Sequence, residues 1–117
     1  MLKTVFSFFF VWFLLFNHLA DGQTPLEVWR NSSDLAKSQK WAEVKDYIQP
    51  HIFPAPDDTL SPRLIQLYAL ASLKTGDVTS AIVSGERVKT EYPNWSEIQE
   101  TNFLLGQIAL QDRKSVV

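Results

Sequence analysis

The pattern of apolar and polar positions changes character near residue 22. From Val5 to Phe16 every position except Ser7 is apolar, and Asn17 and His18 then end the run. About a dozen such residues match the core of a signal peptide and fall short of the ~20 that a membrane-spanning helix requires. Lys3 supplies a positive start, and Ala20 and Gly22 are the small residues that a signal peptidase reads. Residues 1–22 are therefore expected to be removed between Gly22 and Gln23, an uncleaved signal anchor being the alternative. No cysteine follows the run, which excludes bacterial lipidation there.

Beyond that point apolar residues recur at helical spacing, and no segment alternates as a strand would. Thr24-Pro25-Leu26-Glu27 predicts a helix start, with Thr24 as N-cap and Pro25 in the first turn, where no donor is missed, and the helix runs to about Lys37. After Ser38-Gln39-Lys40, a second helix carries Trp41, Val44, Tyr47 and Ile48 and is expected to stop at Pro50. The proline-rich stretch from Pro50 to Asp58 reads as a connector containing His51, with Phe53 plugging a gap. Ser61-Pro62 restarts helix, and residues 63–74 are apolar over most of their circumference, as suits a helix covered on two sides. Gly76-Asp77 makes a turn, and Asp77 caps a fourth helix. That helix should turn Val78, Ala81, Ile82, Gly85 and Val88 inward and end at Tyr92-Pro93. A fifth start is read at Asn94-Trp95-Ser96-Glu97, and its helix should fade at Gln111-Asp112-Arg113 before a further turn.

Equivalent residues recur at a constant shift of about 37 positions. Ser32, Ala69 and Gly106 form one small-residue set, and Gln39, Gly76 and Arg113 are the corresponding turn positions. Trp41 and Val78 open the second helix of their pairs, and Val44 and Ala81 stand where two helices approach closely. The expected architecture is all-α: about two and a half hairpins in a right-handed stack, with units near 24–58, 59–93 and 94–117 in one domain spanning 23–117.

These residues resemble the tetratricopeptide repeat, a helix-turn-helix unit of similar length. Ala69, Gly76, Asp77, Ala81 and Pro93 match its small, turn and terminal-proline positions, and Leu105-Gly106 matches its Leu-Gly pair. The array is degenerate, since Asn31, Val44 and Gly85 depart from the pattern. The resemblance implies a concave groove lined by the first helix of each unit. Carried across position by position, the groove residues are Trp29 and Ser33, then Arg63, Gln66, Leu70 and Lys74, then Phe103 and Gln107. Trp29 and Phe103 would act as aromatic anchors, with Arg63 and Lys74 meeting a carboxylate of a bound peptide.

Composition narrows the chemistry further. The formal charge of -2 is unchanged by loss of the leader, because Lys3 and Asp21 leave together, so there is no basic footprint for nucleic acid. With no cysteine and with His51 the one histidine outside the leader, neither a thiol nucleophile nor a histidine-cysteine zinc site can be assembled. Asp57-Asp58 reads as a solvated loop pair, and no glycine-rich phosphate loop is present. The Asn-x-Ser triplets at Asn31 and Asn94 read as incidental. No enzymatic role and no cofactor are expected.

Absence of disulfides in an exported chain points towards a bacterial periplasm. There the chain would act as a protein-binding scaffold of the cell envelope. The third unit has a first helix but no second one, which leaves the face from Phe103 to Leu110 half open. That opening suggests an alternative, a repeat region ahead of a larger ligand-binding or envelope-assembly domain such as a penicillin-binding-protein activator or substrate-binding-like protein. Docking of that face on a partner or on a second copy of the chain is the other alternative.

Overall fold

In the computed structural model the described residues are 23–52 and 60–116. The expected leader and its cleavage site, and the connector residues Phe53 and Asp57-Asp58, lie outside them. The described residues form an all-helical structure of five helices: α1 Pro25–Lys37, α2 Trp41–Ile52, α3 Ser61–Lys74, α4 Val78–Glu91 and α5 Ile98–Val116. Each helix packs on the next. In addition α1 touches α3 and α3 touches α5, so the first helices of successive hairpins lie side by side.

Local chemistry sets the boundaries. Thr24 Oγ1 accepts the Glu27 N–H at 3.2 Å, satisfying a donor at the start of α1. Asp77 does the same for α4 and also accepts from the Ser80 hydroxyl at 2.7 Å and from Lys45 of α2 at 3.1 Å. The Ser80 hydroxyl, then the Ser80 N–H, then Lys45 hold the Asp77 carboxyl below its ordinary 3.8, at about 2. The two hairpin turns share one hydrogen-bond pattern. Lys40 N–H reaches the Leu35 carbonyl at 3.0 Å, and Asp77 N–H reaches that of Ser72 at 2.8 Å. The left-handed residue of each turn is Gln39 (φ 59°) or Gly76 (φ 85°). All three pairs of turn positions are separated by 37 residues.

Helix α3 runs through the core, burying Leu64, Ile65, Tyr68, Ala69, Ala71 and Leu73, and so is covered on two sides. Val28 of α1, Val44, Ile48 and Ile52 of α2 and Val88 of α4 cluster with its Leu64, Ile65, Tyr68 and Ala71. Ala81 of α4 and Leu104 and Ile108 of α5 form a second cluster with its Ala69 and Leu73. Gly85 lets α5 close in, since a Cβ there would stand 2.6 Å from Leu105 Cδ2.

Several expectations shift. Helix α2 passes through Pro50 and ends at Ile52, which places His51 in its last turn with its ring 5.8 Å from that of Tyr47. Proline costs a helix one backbone bond, and here burial of Ile52 in the final turn offsets it. Asn94 is not the cap of α5: residues 93–97 form successive turns, closed by Trp95 N–H to the Tyr92 carbonyl and Ile98 N–H to that of Trp95. At the other end α5 continues through Arg113, so the third expected turn is helix. Ile82 lies on the outer side of α4, and Ser84 takes an inward place beside Ala81, Gly85 and Val88. Gly106, unlike the fully buried Ser32 and Ala69, is exposed, because no described helix covers that side of α5.

Candidate functional site

The row of first helices creates one cleft of about 300 Å³. Trp29 enters it from α1; Arg63, Gln66, Leu67 and Leu70 from α3; Glu97 from the turn before α5; and Glu100, Leu104 and Gln107 from α5. Helical periodicity explains the convergence, because residues 63, 66, 67 and 70 fall on one stripe of α3, and 100, 104 and 107 on one stripe of α5.

Of the groove residues expected from sequence, Trp29, Arg63, Gln66, Leu70 and Gln107 meet in this cleft. Lys74 does not. One turn beyond Leu70, it borders a separate depression with Gln39, Lys40, Trp41, Ala42, Glu43 and Thr75. Phe103 is also elsewhere: it is 69% exposed and forms no part of the cleft lining, because the cleft side of α5 is set by Glu100, Leu104 and Gln107. Ser33 is half-buried, with a hydroxyl shielded from solvent.

The polar groups of the cleft are already organised. Arg63 lies over the Trp29 ring at 5.3 Å and donates to Glu97 Oε2 at 2.6 Å. Gln66 donates to Glu100 at 3.2 Å and accepts from the buried Thr101 hydroxyl at 2.6 Å, which orients its amide. Glu97 and Glu100 are groove residues that the family positions do not include; their spacing to Leu104 and Gln107 carries the signal once α5 starts at Ile98. An apolar wall of Leu67, Leu70 and Leu104 completes the site. Such a mix of apolar surface and a few fixed polar groups suits recognition of a ligand.

Compared with protein-family models, curated proteins and solved structures, the chain gives no match. Among the described residues, no group of three or more His, Cys, Asp or Glu side chains is placed to hold a metal ion. No described helix is long and apolar enough to cross a membrane.

Proposed function

We propose that this chain is a degenerate tetratricopeptide-like array that binds a peptide or protein segment in the cleft between α1, α3 and α5. In this reading it is a non-catalytic scaffold of the bacterial periplasm or cell envelope, reached by export through residues 1–22. The observation that carries the proposal is the meeting of Trp29, Arg63, Gln66, Leu70 and Gln107, contributed by three helices, around one cleft. A second reading, a repeat region serving a larger ligand-binding or envelope-assembly domain, is favoured by the outward face of α5, where Phe103 and Leu110 are 69% and 60% exposed.

The chain has no native cysteine, so one introduced thiol can carry a photo-crosslinker to a chosen spot. Gln107→Cys places it inside the cleft and Lys74→Cys outside. With envelope extract, the first should give a discrete adduct that disappears in a Trp29→Ala background, and the second should not. Equal adducts from both positions, or an adduct indifferent to Trp29, would remove the cleft from the function.

A further inference from the structure

We propose that the cleft selects a segment bearing a lysine or arginine next to an apolar side chain, rather than the acidic segment that Arg63 and Lys74 suggest from sequence. This inference rests on the binding function proposed above and adds the chemistry of the ligand. The cleft holds two carboxylates, Glu97 and Glu100, and one cation, Arg63, so one negative charge is left over. Lys74 cannot restore the balance, because it borders another depression.

The positions of these charges matter more than their sum. Arg63 is spoken for: its guanidinium is stacked on Trp29 and bound to Glu97, with its side chain about one-third exposed. An incoming carboxylate would have to displace Glu97, a competitor tethered to the same fold and therefore present at high effective concentration. It would also face Glu100, and a like charge across an interface is strongly disfavoured. A cation meets the opposite situation. Glu100 has no ion-pair partner among the described residues and accepts only the neutral amide of Gln66. That amide is itself anchored by Thr101, so the carboxylate is held towards the cleft at little further cost in side-chain freedom.

The apolar wall completes the selection. Leu67, Leu70 and Leu104 offer a surface for the methylene stem of lysine or arginine, whose head can then reach the carboxylate edge. A neighbouring apolar residue of the ligand would pack on the same wall beside Trp29. Gln107, at the α5 side of the cleft, supplies an amide that can pair with peptide backbone in either sense.

The test is selection of short random peptides displayed on phage against the intact chain, with Trp29→Ala protein as the background. Peptides dependent on Trp29 should be enriched in Lys and Arg by about twofold or more over the starting library, with Leu or Phe adjacent, and their binding should weaken with salt. Glu100→Gln should abolish the enrichment while leaving the circular dichroism spectrum and melting temperature unchanged, and Glu86→Gln, an exposed carboxylate on α4, should not. Trp29-dependent peptides that are acidic or uncharged would overturn the charge inference and leave the cleft as a binding site. Basic enrichment that survives Glu100→Gln would overturn it too, by placing the selecting charge elsewhere. Absence of any Trp29-dependent peptide would count against the binding function itself.

Discussion

The two complete hairpins solve the same geometric problem with different residues. Their turns superimpose bond for bond at a shift of 37, yet the second has a glycine at the left-handed position and an aspartate as the next cap, whereas the first has Gln39 and Lys40. Their outer helices differ at another equivalent pair. Ile48 of α2 is fully buried and shares a cluster with Tyr68 of α3. Its counterpart on α4 is Gly85, and the space is taken by Leu105 of α5, the counterpart of Tyr68. The two units therefore share a backbone path, while the volume at this pair falls from an isoleucine and a tyrosine to a leucine packed directly on a glycine.

Reversing that exchange gives the largest expected effect. Gly85→Ile, which copies the first hairpin, forces a branched side chain where even a Cβ stands 2.6 Å from Leu105 Cδ2. Overpacking of this kind costs about 1–3 kcal/mol, and the melting temperature should fall accordingly. Leu105→Ala in the same chain should recover most of the loss, since it removes the obstacle. If the double variant is as unstable as the single one, Leu105 is not what excludes a larger side chain at residue 85.

Exchanging the turns should matter less. Gly76→Ala puts a side chain at φ 85° and is expected to cost about 1 kcal/mol, while Gln39→Gly relieves φ 59° and should stabilise by a similar or smaller amount. Denaturant titration of both variants measures the two signs directly. Effects of the same sign would show that the shared hydrogen-bond pattern does not carry the same backbone demand.

The same two hairpins show which features of a fold local sequence can carry. Turn chemistry was legible because Gly76-Asp77 and Thr24-Pro25 have local physical meanings, and the 37-residue shift then located the less obvious turn at Gln39. The end of α2 was not legible, because tertiary burial of Ile52 outweighs the local preference of Pro50 and sequence alone does not weigh the two. The start of α5 misled for a related reason: Asn94 and Glu97 have the spacing of a capping box, but the chain uses 93–97 as turns, which moves Glu97 to the cleft edge. Five of the groove positions carried over from the family pattern converge in space because they lie on the cleft stripes of three helices. Phe103 fails because α5 presents Glu100, Leu104 and Gln107 on that side, and Lys74 because the cleft ends one turn before it.

The smallest expected effect separates the two caps by pH. In the folded chain Asp77 titrates at about 2, below its ordinary 3.8, chiefly because Ser80 donates both a hydroxyl and an N–H to it and Lys45 adds a charge-assisted bond. A carboxyl with a depressed folded value stabilises in full above its unfolded value and loses that contribution as pH falls through the folded one, so the window is from about 4 down to 2. Its side chain is 43% exposed, so solvent and salt screen the gain and only a modest shift is expected. Asp77→Asn keeps an N-capping oxygen but removes the charge. Across this window the wild-type melting temperature should fall more than that of Asp77→Asn, with the two curves converging near pH 2. Lys40, at the equivalent position of the first hairpin, offers no carboxylate, so Lys40→Gln should leave the acid slope of the parent unchanged. Parallel slopes for wild type and Asp77→Asn would mean that the second hairpin's cap works by geometry alone, as the first one's must.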